Sequence, residues 1–299
     1  MKQQIKSSLI LLLTATIWGV AFVAQSVGME YIGPFTFNAI RCVLGGLVLI
    51  PVILVLKKKK ETGAENQEKV DKKTLWAGGI ACGVILCIAS NLQQFGIMEA
   101  SVGKSGFFTA LYIVMIPVIG IFIGKRPGIK LWFCVALAVV GMYLLCMKDG
   151  SFTIERADIM LLLCALAFSF HILVVDYFSP KVDGVKMSCI QFFVCGVLSA
   201  VGMLFTETPD ISNIQAAWLP LLYAGLLSCG VGYTLQIVGQ KGINPVIASL
   251  IMSLESVISA LAGWVILGQV LSPKEILGCV LMFVAIIITQ IPIGNKKTD

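Results

Sequence analysis

Apolar residues in this chain fall into ten long stretches separated by short polar turns. A helix needs roughly 17–25 predominantly apolar residues to cross a bilayer. The stretches 7–29, 74–98, 105–124, 187–206 and 276–295 meet that length without a single charge. Residues 211–240 form a longer run, only part of which needs to lie in hydrocarbon. Residues 131–147 and 159–175 are shorter and can be extended by their flanks. Two further stretches each carry one charge: 35–56 contains Arg41 and 245–267 contains Glu255. None of the ten shows the polar face that a helix on a water-soluble core presents. The pattern predicts an all-α integral membrane protein.

Ten spans divide into five plus five. A duplicated unit with an odd number of crossings re-enters the membrane upside down, which makes an inverted repeat. That organisation is associated with secondary transporters, whose cavity lies between the repeats. The boundaries read as 1–147 for the first five-helix repeat and 148–299 for the second. Residue identity between the halves is low, but their endings share a plan. Residues 105–124 lead through a polar turn with Lys130 into an apolar span, and 245–268 do the same through Lys274.

Composition agrees: 58% of residues are hydrophobic and only 13% charged, with a mean hydropathy of +0.95. A soluble globular domain is excluded on this count. Charge placement then sets an expected orientation. With a cytoplasmic N-terminus, seventeen Lys and Arg residues fall on the inside, four (Lys104, Lys148, Arg156, Lys274) fall outside and Arg41 falls in the membrane, accounting for all 22. This is the positive-inside bias and places both termini in the cytoplasm, in a cytoplasmic membrane. The net charge of +6 comes from short-loop lysines without interleaved aromatics. Anionic lipid head groups are therefore the expected partner and nucleic acid is not.

The longest charged stretch, 57–73, is rich in Lys and Glu and is expected to be a flexible cytoplasmic loop. The first apolar run follows Lys2 and Lys6 but is too long for a signal peptide and lacks a cleavage site, so an uncleaved helix is expected. All ten cysteines lie inside spans with no C-x-x-C pair, which reads as small buried hydrophobes rather than disulfides or zinc ligands. Gly79–Gly83 and Gly120–Gly124 form G-x-x-x-G pairs, and Ser256, Ser259, Ala260 and Gly263 keep one helix thin; helix packing is the simplest use of each. Pro117 and Pro220 lie within spans, where a missing N–H can kink a helix.

Two motifs suggest enzymes and fail. Gly103-Lys104-Ser105 ends like a phosphate loop, but the pattern needs glycine where Met98 stands, and no strand precedes it. Gly103-Lys104-Ser105-Gly106 also fits the G-x-S-G of intramembrane serine proteases, with His171 as a conceivable base for Ser105. The outer-edge position of Ser105 and the ten-span charge logic argue against a protease. No catalytic residue, metal site or cofactor is implied.

Several segments together resemble the drug/metabolite transporter superfamily, and within it the EamA family of ten-span carriers. The first helix has Trp18-Gly19 and Phe22, as in the family's W-G-x-x-F. The second has Asn38, Arg41 and Pro51. The third and fourth read Leu92-Gln93-Gln94-Phe95-Gly96 and then Gly103 through Pro117. The eighth and ninth read Tyr233-Thr234-Leu235-Gln236 and then Ser253-Leu254-Glu255-Ser256-Val257, ending at Leu267-Gly268. The chain departs from the family pattern at Ser256, where proline usually follows the glutamate, and at Gln269, where an acid is common. The resemblance implies a site enclosed by helices one, three, four, six, eight and nine, with five and ten peripheral.

Polar side chains that persist in hydrocarbon are candidates for a transport pathway. Trp18, Phe22 and Gln25 share a helical face by their i, i+4, i+7 spacing; Asn91 and Gln94 share another, as do Tyr233, Gln236 and Gln240. Tyr112 adds a hydroxyl and His171 an imidazole. Such amide-and-aromatic faces suit a small organic solute, although amides also simply bridge helices. Glu255 can take up a proton, bind a cation or donate a helix–helix hydrogen bond; His171 can relay a proton or bond a neighbouring helix. Asn38 and Arg41 read as structural polar residues. The resulting expectation is a secondary transporter exporting small organic metabolites or drugs, with protons as a candidate coupling ion. An uncoupled facilitator or exchanger is the alternative, and the Ser105/His171 protease a remote one.

Overall fold

The computed structural model describes residues 2–62, 71–122, 124, 128–146, 155–268 and 272–290. Residues 63–70 of the charged 57–73 stretch, the join of the halves at 147–154, Gln269 and the C-terminal residues 291–299 lie outside the described residues. Every regular element within them is helical.

Helices α1 (Lys2–Gly28), α2 (Pro34–Thr62) and α3 (Lys72–Ile97) run uninterrupted. Helices α4 (Val102–Ala110) and α5 (Tyr112–Phe122) form one rod broken at Leu111, and α6 (Ile129–Cys146) follows. The second half begins with α7 (Arg156–Phe178) and α8 (Gly184–Thr206). The long 211–240 run resolves into α9 (Ile211–Ala216), α10 (Trp218–Leu222), an 11-residue π-helix Tyr223–Tyr233 and α11 (Thr234–Gln240). Helices α12 (Pro245–Met252) and α13 (Leu254–Leu267) form a rod broken at Ser253, and α14 (Pro273–Gln290) ends the series.

Eight rods among the described residues are long and apolar enough to cross a membrane. Helices α6 and α14 contribute shorter apolar stretches, Ile129–Gly141 and Ile276–Ala285. Of the ten spans expected from the sequence, eight thus match helices of spanning length and apolarity, and the stretches in α6 and α14 fall short of it. Helix α2 also runs on through Lys57 to Thr62, into the stretch expected to be a loop.

Local chemistry explains the boundaries. Asp71 caps α3 by accepting from the amides of Lys73 and Thr74, Ser101 caps α4 and Asp183 caps α8. The Thr74 hydroxyl bonded to Asp71 holds that carboxyl below the ordinary aspartate range. Asn244 caps α12 ahead of Pro245, whose fixed φ suits a first turn. Gly268, at φ +69°, ends α13 in the left-handed region open to glycine. Pro220 lies in the first turn of α10, where its missing N–H breaks no helical bond. Helix α2 has a cap from far away: Glu207, at the end of α8, accepts from the amides of Phe35 (2.9 Å) and Thr36 (2.8 Å) and from the Thr36 hydroxyl (2.6 Å).

The helices pack in matched pairs. Helix α1 lies on α13 as α7 lies on α4; α3 lies on α7 and α8 as the π-helix rod lies on α1 and α2. Helix α2 pairs with α8, and α6 with α14. Exchanging the two halves, with the α4–α5 rod matched to the α12–α13 rod, leaves α2–α8 and α6–α14 unchanged and turns the other pairings into one another. Small residues permit the close approaches. A Cβ on Gly79 would stand 2.5 Å from Ile190, and one on Gly83 2.6 Å from Val194, so this G-x-x-x-G pair is the α3–α8 contact. Gly124 of the second pair has no described heavy atom within 4 Å of its Cβ position. The outer surface carries Leu9, Leu47, Leu54, Val197, Leu204 and Val265, all exposed. In water a continuous apolar surface of this kind would drive association; in a bilayer it faces lipid.

Candidate functional site

Three positions one turn apart on α1 supply one wall of a cavity at the centre of the bundle. Trp18, Phe22 and Gln25 line it together with Arg41 of α2, Gln93 of α3 and Thr109 of α4. The opposite walls are Tyr112 of α5, Phe168 and Ile172 of α7, Ser228 and Tyr233 of the π-helix, Gln236 of α11 and Glu255 of α13. Both halves therefore contribute, and among the described residues neither α6 nor α14 does.

Two helix breaks deliver the acid and its partner. At Leu111 and at Ser253 the backbone tightens: Leu111 N–H donates to Phe108 O and Val114 N–H to Leu111 O, while Ser256 N–H donates to Ser253 O. These are three-residue bonds in place of four-residue ones. Ser249, Ser253, Ser256 and Ser259 each donate a hydroxyl bond to a carbonyl three residues back. Such bonds bend helices. Tyr112 and Glu255 thus fall in the first turns of α5 and α13, and the Tyr112 hydroxyl donates to Glu255 Oε1 at 3.0 Å. Glu255 is 4% exposed.

On the other side, Arg41 Nη1 donates to Gln25 Oε1 at 2.8 Å, and the guanidinium lies 5.6 Å from the centre of the Phe37 ring. The π-helix shapes the aromatic wall. Its wide turns direct the carbonyls of Ser228 and Gly232 at α1, where they accept from Trp18 Nε1 (3.4 Å) and the Thr14 hydroxyl (3.5 Å). Trp18 and Tyr233 pack with ring centres 4.6 Å apart and their planes tilted by 55°. Gln93 donates to the Thr109 hydroxyl at 3.3 Å, and Gln236 to Gln240 at 3.4 Å; Gln240 in turn donates to Ile172 O at 2.7 Å. The enclosed space is about 20 Å³, room for roughly one water. An organic solute enters only if the walls part.

Of the residues singled out by sequence, Trp18, Phe22, Gln25, Tyr112, Tyr233, Gln236 and Glu255 meet at the cavity. Asn91, Gln94 and His171 do not border it. Asn91 accepts from Asn38 at 2.9 Å and donates to Ser199 at 3.0 Å and to Cys87 O at 2.8 Å, tying α3 to α2 and α8. Gln94 donates to the sulfur of Met29 at 3.5 Å. Helix α3 has amides on two faces, and it is Gln93 that looks inward. His171 lies one layer out, with Nε2 3.1 Å from Gln191 Oε1 and its ring edge-on to Tyr233 at 6.0 Å. Ser105 Oγ is buried with no hydrogen-bond partner, so it forms no dyad with His171.

Arg41, assigned a structural role from sequence, is in the cavity lining. Gln93, Thr109, Phe168, Ile172 and Ser228 also line it and were not identified from sequence. Phe168 and Ile172 are four apart on α7, a spacing indistinguishable from ordinary core. Nine described cysteines are free thiols, and Cys42 and Cys195 bring α2 and α8 to a sulfur–sulfur distance of 3.4 Å.

A bundle of apolar helices enclosing a polar cavity built from both halves is the architecture of a membrane transporter. The EamA-like transporter family matches residues 5–147 and again residues 155–291, and the chain belongs to that family. An uncharacterized transporter of Archaeoglobus fulgidus is 27% identical over 282 residues, covering 94% of this chain and 84% of its own length. The uncharacterized transporter YwfM of Bacillus subtilis is 24% identical over 307 residues, covering 97% and 96%. One solved crystal structure shares the fold, with a TM-score of 0.76 over 95% of this chain and 96% of its own, at 17% identity. The chain is a multi-pass membrane protein of a transporter family, and a small solute is the substrate that family implies.

Proposed function

We propose that this protein is a secondary transporter that exports a small organic solute across the cytoplasmic membrane by alternating access. In this reading ten spans form two inverted five-helix repeats, 1–147 and 148–299, with both termini in the cytoplasm. The observation that carries it is the joining of the two broken rods, one from each half, by Tyr112 and Glu255 at the wall of a shared cavity. Two halves that pack in matched pairs have two equivalent ways to part, one towards each side of the membrane. The cavity, closed to about 20 Å³, fits a state between those two openings.

Among the described residues Glu255 is the one acid in the lining. A carboxyl there can take a proton on one side and release it on the other, coupling solute movement to a proton gradient. Liposomes containing the purified protein and loaded with a metabolite extract test the reading. Protein-dependent release that quickens when a proton gradient is imposed supports it. Release that ignores the gradient would make the protein a facilitator or exchanger, and no release beyond protein-free liposomes would refute transport.

A further inference from the structure

Arg41 carries a fixed charge that no described residue pairs with an opposite one. Its side chain is 2% exposed. One donor, Nη1, is satisfied by the neutral amide of Gln25, while Nε has no hydrogen-bond partner. Among the described residues Arg41 makes no ion pair. Glu255, the acid in the same lining, is bonded instead to Tyr112. The two groups are not equivalent. A carboxyl can shed its charge by binding a proton, whereas a guanidinium stays cationic and presents five donors in a fixed fork. A buried, unpaired cation within a membrane-spanning bundle is costly, and the group that relieves the cost is an anion able to accept from that fork.

We propose that the transported solute carries a carboxylate, bound by Arg41, on a body with an apolar or aromatic portion. The inference deepens the transport reading and rests on it. Planar carboxylates match the guanidinium fork, and paired N–H donors hold them more firmly than single ones. Trp18, Phe22, Phe168 and Tyr233 supply the apolar walls for the remainder of the solute. The cation–π contact with Phe37 at 5.6 Å keeps the guanidinium plane oriented. The solute class is thus small organic acids, with Arg41 as a binding residue.

The test is the liposome release assay with a desalted metabolite extract, each released solute identified by mass spectrometry and sorted by its charge at pH 7. Wild-type protein should release carboxylates, and neutral or cationic solutes should remain at protein-free levels. Arg41→Gln should lower carboxylate release at least tenfold, with Arg41→Lys intermediate. Gln25→Glu provides a second variant that keeps Arg41: it builds a carboxylate against the guanidinium and should also stop release. Neutral or cationic solutes released as fast as carboxylates would overturn the inference while leaving transport intact. Undiminished carboxylate release by Gln25→Glu, or by an Arg41→Gln protein with a normal melting transition, would overturn it as well. If nothing of any charge is released, the transport reading itself fails and the inference with it.

Discussion

The Tyr112 hydroxyl and the Glu255 carboxylate, 143 residues apart, meet at 3.0 Å because each begins a helix just after a break in its rod. Leu111 precedes Tyr112 directly, and Ser253 stands two residues before Glu255. The bond ties the two halves at the wall of the cavity, so its two ends can be tested separately. Glu255→Gln retains an acceptor for Tyr112 and removes only the titratable proton. The variant is expected to melt close to wild type while solute release loses its response to a pH gradient. A Gln variant that still responds would place coupling elsewhere. Tyr112→Phe leaves a buried carboxyl oxygen without its donor, a cost of about 1–3 kcal/mol, visible as a lowered melting temperature in detergent.

His171 lies behind Tyr233 and bonds Gln191, so it has no direct access to the cavity. His171→Gln is expected to leave the pH response of release intact. The loss of one interhelical bond should lower stability by about 1 kcal/mol or less, as such bonds contribute in membranes. A flattened pH response in this variant would return His171 to the coupling pathway.

Glu207 is the remote cap of α2, accepting three bonds from Phe35 and Thr36. A carboxylate at a helix N-terminus satisfies orphan amides and complements the helix dipole. Glu207→Ala is expected to cost about 1–3 kcal/mol, with Glu207→Gln milder because one amide oxygen can still accept. Thermal melts of the three proteins in one detergent check the order. Equal melting of wild type and the Ala variant would show the cap to be energetically idle.

Glycines separate into two kinds. A Cβ on Gly19 would stand 2.5 Å from Ile258 Cβ and 2.9 Å from Glu255 O, where α1 crosses α13. Gly19→Ala should therefore destabilise by about 1–3 kcal/mol. A Cβ on Gly103, in α4, would have no described heavy atom within 4 Å, and Gly103→Ala should gain up to about 1 kcal/mol from helix propensity. Opposite shifts in melting temperature are the expected result.

How far the site was legible can be traced residue by residue. The i, i+4, i+7 stripe of Trp18, Phe22 and Gln25 survives into the cavity wall because α1 is an unbroken helix. Glu255 stood out as an acid deep in an apolar span. Helix α3 was ambiguous, since the spacing of Asn91 and Gln94 marks a shared face without saying what that face meets. Packing against α2 and α8 claims Asn91 for bridging and leaves Gln93 to the cavity. The π-helix was not legible at all. Widened turns bring Ser228 to the wall, and no residue pattern of period 3.6 announces it; Tyr233, the last residue of the π-helix, is marked by its spacing to Gln236 and Gln240 and not by the π-helix.

The sequence alone determined that the chain is helical, lies in a membrane and belongs with two-repeat carriers. Length and apolarity of each run are local properties, set by what a bilayer tolerates. Only the tertiary structure decided which polar groups share a cavity, that Arg41 is among them without an ion-pair partner among the described residues, and that Tyr112 meets Glu255. Those relations depend on how helices rotate about their axes and where they break. In a chain apolar on nearly every face, the hydrophobic pattern does not specify that rotation; close packing at small residues and side-chain hydrogen bonds between helices do.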